Sequence, residues 1–149
     1  LKEILIFTIL AISKLKTLEI ITMNVKIPVS IGELFDKISI LENKLMFIHE
    51  PKKHINIHKE WSALVKIAKK IDPAYDKSTY YKQLAKVNFE LWHIEDGKRD
   101  CERKKDFGSK FIELARNVYK KNDERAKVKR NINNKYGSSI VEEKSHKKY

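Results

Sequence analysis

The chain has 149 residues, 42% hydrophobic and 35% charged, with only 4 Gly and 3 Pro. That length suits one domain with one core, and so few turn formers exclude an all-β fold, whose many turns draw on Gly, Pro, Asn and Asp. Large apolar residues recur along the whole chain, which excludes a disordered one, and the net charge of +12 favours phosphate-rich partners.

At the start, Ile4 to Ser13 form an uncharged apolar run. It is shorter than the roughly 20 residues of a membrane span, so no span is expected. Lys2 precedes it, as in a signal peptide, but Lys14 and Lys16 stand where a small-residue cleavage site belongs. The first Met is Met23. Residues 1–22 are therefore expected to be an extension upstream of a natural start at Met23, ahead of a docked helix and of an export signal.

The helical domain is expected over residues 23–137. Residues 25–29 read as an extended lead-in, because Pro28 disfavours helix at Ile27. Ser30 and Glu33 are spaced as a capping box, in which each side chain accepts the other residue's amide. Ile31, Leu34, Phe35, Ile38, Leu41, Leu45 and Ile48 follow at spacings of three and four, which predicts a helix ending near His49. Pro51 suits the first turn of a second helix, running to Ile71 with Trp61, Leu64, Val65 and Ala68 as its apolar face. Residues 72–78 are a loop by composition. A third helix spans Thr79 to Lys104, with Tyr80, Leu84, Val87, Leu91 and Ile94 on one side. Gly97 inside it costs about 1 kcal/mol relative to Ala. Asp106 suits the N-cap of a fourth helix over 107–136, stopped by Gly137. The tail over 138–149 is polar and mobile toward its end. The fold class is all-α, an antiparallel bundle or hairpin of about four helices with long third and fourth helices in left-handed packing.

Placing each helix at about 100° per residue exposes polar residues on apolar faces. Asn122, Arg125 and Lys129 fall within the apolar stripe of the fourth helix, and Glu42 within that of the first. Asn88, Trp92, Glu95, Arg99 and Glu102 form a second stripe along the third. An unpaired buried charge is costly, so these groups must pair, stay wet or bind something. The simplest arrangement is a polar layer in which Glu42 and Glu95 face Arg125, Lys129 or Arg99, with Asn88 and Asn122 completing the hydrogen bonds. Either the layer is structural and fixes helix register, or the stripe of the fourth helix is solvated beyond the bundle, or Glu42, Asn88, Glu95, Arg99, Asn122, Arg125 and Lys129 wall a ligand site. Arg116, Tyr119 and Asp123 form a separate group on the flank of the fourth helix. An exposed ion-pair face is its default reading, and a partner-binding face the sharper one, since Arg and Tyr serve as interface anchors.

Several chemistries lack their signatures. There is no phosphate-binding Gly loop, HExxH or Gly-x-Ser-x-Gly. His54 and His58 share one turn but have only Glu50 as a nearby third ligand, so they read as a surface pair and no metal site is expected. Cys101, the single cysteine, permits no internal disulfide and reads as a packing residue. It fits the reducing cytoplasm, the expected location. No cofactor is implied. All five Arg lie between Arg99 and Arg130, whereas Lys is spread along every segment as a compositional background. Arg is the more informative cation, because its planar fork makes two-pronged contacts.

Three stretches carry a family resemblance: residues 27–45 (IPVSIGELFDKISILENKL), 88–133 and 137–145 (GSSIVEEKS). With the block Leu91-Trp92-His93-Ile94-Glu95-Asp96 and the run Val118 to Arg125, they resemble a bacterial family of small helical proteins catalogued as domain of unknown function 6165. The resemblance implies helical structure after residue 25 and a start near the VSIGEL segment, with neighbouring genes for sugar transfer or cell-surface polysaccharide. It supplies no activity, substrate or catalytic residue. The chain departs from the pattern at its end, where SHKKY follows the EEK run instead of an aromatic directly after EEKS.

Three functions compete. One is a non-enzymatic accessory protein that self-associates or binds a protein partner through the Arg116, Tyr119 and Asp123 face. Another is a small-anion binder, or an enzyme, with its site between helices. Non-specific nucleic-acid binding ranks last: interleaved acids break up the basic stretch 120–130, and no aromatic platform for bases is present there.

Overall fold

The computed structural model describes residues 25–145. The apolar run and the proposed extension over residues 1–22 lie outside the described residues, as does the end of the tail. Four helices make up the described part: α1 Ile31–Phe47, α2 Pro51–Ile71, α3 Thr79–Lys104 and α4 Ser109–Tyr136. A 3-10 turn, Tyr75–Lys77, joins α2 to α3. Among the described residues no helix is long and apolar enough to cross a membrane.

Local chemistry sets the boundaries. Ser30 Oγ accepts the Glu33 amide at 3.1 Å and starts α1. The reciprocal half of the expected capping box is not made, because the Glu33 carboxylate is drawn instead to Lys129 Nζ at 2.6 Å. The helix ends at Phe47, earlier than expected, with Ile48 extended. Pro51 opens α2 as expected. Ser78 Oγ accepts the Tyr81 amide at 3.2 Å and starts α3. Lys105, in the left-handed region at φ 54°, closes it. Asp106 does not cap α4: its Oδ1 accepts the Gly108 amide at 3.1 Å, which shapes the connecting turn, and the helix begins at Ser109. Gly137, at φ 64°, ends α4 with its amide on the Asn133 and Asn134 carbonyls.

Helices α3 and α4 form an antiparallel hairpin. A Cβ on Gly97 would sit 3.1 Å from Leu114 Cδ1, so this glycine lets the two helices approach near the hairpin's turn. Farther along, Lys121 pairs with Glu90 at 2.5 Å, and Arg125 lies beside Asn88. α1 lies against both arms. The α2 backbone approaches α1 and the 3-10 turn, and neither arm of the hairpin.

The core gathers at the hairpin's open end. Phe35 and Ile38 of α1 meet Val65 and Ala68 of α2, Leu84 of α3 and Ile132 of α4. The Phe35 ring is fully buried, with the rings of Tyr75, Tyr81 and Tyr136 at 5.0, 5.9 and 5.5 Å. Such a ring buries 150–250 Å² or so of apolar surface, more than any aliphatic neighbour. Tyr75 thus turns a stretch that looks like loop by composition into part of the core. The far end of the hairpin is thinner, and Phe107 and Ile112 remain about half exposed there.

Candidate functional site

On α1, Gly32, Asp36, Ser39 and Asn43 recur at steps of four, three and four, a row beside the apolar stripe. All four are buried. At Gly32 the chain presses against α4, where an added Cβ would meet the Lys129 carbonyl oxygen at 2.6 Å. The Gly32 amide donates to Asn133 Oδ1 at 2.7 Å. This close approach brings Asp36 and Ser39 under the hairpin.

There they meet Asn88 of α3. Asn88 Nδ2 donates to Asp36 Oδ1 and to Ser39 Oγ, both at 2.7 Å. Ser39 Oγ in turn donates to the Asp36 carbonyl oxygen at 2.8 Å, so it faces Asn88 as an acceptor. Both acceptors lie on one side of the amide, and its oxygen is left facing Arg125, whose guanidinium donates to it at 3.4 Å. One turn along α4, Lys129 Nζ pairs with Glu33 at 2.6 Å, Glu142 at 2.7 Å and Asp36 Oδ2 at 3.9 Å. Glu142 belongs to the tail, which returns along α4 and also places Glu143 on Arg130 at 2.9 Å.

Burial pushes the Asp36 carboxyl above the usual carboxylate range, despite the Asn88 donor and the charges of Arg125 and Lys129. At Lys129 burial works the other way, against the ammonium. Hydrogen bonds to Glu142 and Glu33 outweigh it and raise the pKa.

Above this buried layer lies a cleft of about 500 Å³. Asn88 and Arg125 form part of its wall, with Glu95, Asp96 and Arg99 farther along. Ile40, Leu91 and Trp92 give it an apolar side, and Asn43 completes the α1 edge. Trp92 is fixed by Phe47, stacked on it at 5.3 Å. Glu95 is held by Lys98 at 3.2 Å. Among the described residues Arg99 and Arg125 have no carboxylate within ion-pair distance, whereas Arg103 pairs with Asp100 and Arg130 with Glu143.

The seven expected site residues therefore divide. Asn88, Glu95, Arg99 and Arg125 line one cleft. Lys129 lies in the buried layer below, and a small depression of about 220 Å³ beside it contains Glu142 and Lys144. Glu42 faces elsewhere: it accepts the Tyr81 hydroxyl at 2.7 Å. That contact adds to the burial that pushes the Tyr81 phenol up. Asn122 is half-buried and outside the lining. The expected pairing of Glu42 and Glu95 with Arg99, Arg125 or Lys129 is not formed. The partner carboxylates of Lys129 are instead Glu33, Asp36 and Glu142. Sequence reasoning missed Asp36, Ser39 and Asn43, although their spacing beside the apolar stripe was visible.

The Arg116, Tyr119 and Asp123 group is not gathered at one pocket. Arg116 lines a shallow depression of about 380 Å³ with Ile112 and Glu113, and Tyr119 and Asp123 lie outside it. His58 packs by Trp61, with ring centroids 5.6 Å apart. Among the described residues no three His, Cys, Asp or Glu side chains cluster as metal ligands.

The model for a family of unknown function, DUF6165, matches residues 23–148. The chain belongs to the DUF6165 family. No curated protein and no solved structure matches it. The family's description assigns no activity.

Proposed function

We propose that the protein binds a small organic anion in the cleft between α1, α3 and α4. The observation that carries this reading is the pair Arg99 and Arg125, two guanidiniums on one open wall without a carboxylate partner among the described residues. A guanidinium fork matches a carboxylate or phosphate through two parallel hydrogen bonds. Trp92 and Leu91 offer apolar surface to the rest of the ligand, and a volume near 500 Å³ is within the range of small-molecule sites. Asp36, Ser39 and Asn88 support the wall from below. If the bound anion reacts, the same cations would stabilise negative charge developing on it.

The test is a thermal-shift screen of phosphate, dicarboxylates, sugar phosphates and sugar nucleotides, followed by calorimetry on any hit. Arg99→Leu and Arg125→Leu should each weaken binding about 10- to 100-fold, the worth of one charged hydrogen-bond pair. If no anion raises the melting temperature and Arg125→Leu stabilises the protein, the layer is structural and the proposal fails.

A second proposed reading is an accessory protein that self-associates or docks on a protein partner. It is supported by Ile112, about half exposed beside Arg116 on the flank of α4. Light scattering tests it, and a strict monomer without a co-purifying partner counts against it.

A further inference from the structure

Among the described residues most lysines of α2 have no carboxylate partner. On α3 and α4, Lys86, Lys98, Arg103, Lys121, Lys129 and Arg130 each meet a carboxylate, while among the described residues Arg99, Arg125 and several lysines meet none. On α2, Lys53 pairs with Glu50. The helix's own acid, Glu60, is taken by Lys37 of α1 at 2.7 Å. Among the described residues Lys52, Lys59, Lys66, Lys69 and Lys70 meet none.

Four of these cations are aligned. At 3.6 residues per turn, Lys52, Lys59, Lys66 and Lys70 fall within about 40° of one another and span about 27 Å of helix. The row lies opposite Ile57, Val65 and Ala68, the buried side of α2, so it faces solvent. Among the described residues the α2 backbone approaches only α1 and the 3-10 turn, so the row is an outer surface of the described part. Ile55 and Ile67 flank it, 67% and 50% exposed.

We propose that this face of α2 docks the protein on an anionic lipid surface. A straight row of ammonium groups matches a plane of negative headgroups, each lysine adding to the attraction. The flanking isoleucines can enter the boundary between headgroups and acyl chains, a use that a nucleic-acid backbone does not offer them. The face also lacks Arg, the residue suited to two-pronged phosphate and base contacts. All five Arg of the chain lie on α3 and α4.

The experiment is flotation of the full chain with vesicles of phosphatidylcholine alone or mixed with phosphatidylglycerol. Binding is expected to the mixed vesicles and not the neutral ones, with release at high salt because the attraction is screened. The quadruple Lys52→Gln, Lys59→Gln, Lys66→Gln, Lys70→Gln variant should lose about 100-fold or more in partition, with unchanged helicity by circular dichroism. Ile55→Ser with Ile67→Ser should lose several-fold and keep the salt dependence. Failure to bind anionic vesicles overturns the proposal. So does undiminished binding by the quadruple variant, or a result in which the lysines affect affinity for DNA and not for vesicles.

Discussion

Replacing Asn88 with Ala removes the donor shared by Asp36 Oδ1 and Ser39 Oγ, both bonded at 2.7 Å. A hydrogen bond to a charged group contributes about 1.5–3 kcal/mol and a neutral one about 1 kcal/mol. Asp36 is 4% exposed and cannot turn to water. Its remaining ion-pair contact is Lys129 at 3.9 Å. Asn88→Ala should therefore cost about 3 kcal/mol, which moves a urea midpoint by about 1.5 M if m is about 2 kcal/mol per M.

The deficit should depend on pH in a defined direction. Burial already raises the Asp36 pKa above its unfolded value of 3.8, and loss of the Asn88 donor raises it further. A carboxyl whose folded pKa is raised takes up its proton more readily in the folded state. Stability then increases as pH falls through the folded pKa toward the unfolded one. The variant's deficit should shrink as pH is lowered from neutral through the folded-state pKa of Asp36. In a double-mutant cycle, Asp36→Ala with Asn88→Ala should cost less than the sum of the single changes by 1–2 kcal/mol or so, because no orphaned carboxylate remains. A cost below about 1 kcal/mol at pH 7, or a deficit that does not shrink toward acidic pH, would refute such a role for the buried layer.

Three further outcomes are expected. Gly32→Ala should destabilise by about 1–3 kcal/mol in chemical denaturation, although Ala is the better helix former, because its Cβ would overlap the Lys129 carbonyl and Asn133 Oδ1; stabilisation would contradict the close approach of α1 to α4. Gly137→Ala should cost about 1–2 kcal/mol and lower Tm by several degrees, since φ 64° is unfavourable for any side chain. Glu142→Gln should increase amide exchange in the tail at neutral pH. Its hydrogen bond from Lys129 lowers the Glu142 pKa below 4.5, so the stabilisation is present above that value and lost as pH falls through the folded pKa. Wild type and variant should therefore converge in exchange as pH falls through the folded-state pKa.

Much of the fold follows from residues that act locally. Pro51 and Ser78 start their helices from within one turn, and Gly137 ends α4 because it alone accepts the left-handed conformation without strain. The apolar spacing of α1 likewise fixes which side of that helix enters the core. Where two local signals competed, the local reading failed. Asp106 had a backbone amide available two residues on and formed a turn with it. Glu33 could reach back to Ser30 or out to Lys129, and a cation held by three carboxylates was the stronger attraction.

The candidate site was partly legible for the same reason. Arg125 could be singled out because a cation on an apolar stripe is conspicuous within one helix, and Arg99 because it belongs to a second stripe, largely polar, along α3. Asp36, Ser39 and Asn43 were not, since short polar residues beside a stripe read as a solvated edge until another helix covers them. The sequence by itself determined four amphipathic helices, the residues that start and stop them, and the positions where charge interrupts the apolar faces. Only the tertiary structure decided that Glu42 turns to Tyr81, that Lys129 is closed in by Glu33, Asp36 and Glu142, and that Arg99 and Arg125 remain open on a cleft. Periodicity assigns a side chain to one face of its own helix. Which groups share that face depends on how helices far apart in sequence cross, and here Gly32 sets the crossing of α1 on α4 by letting two backbones touch.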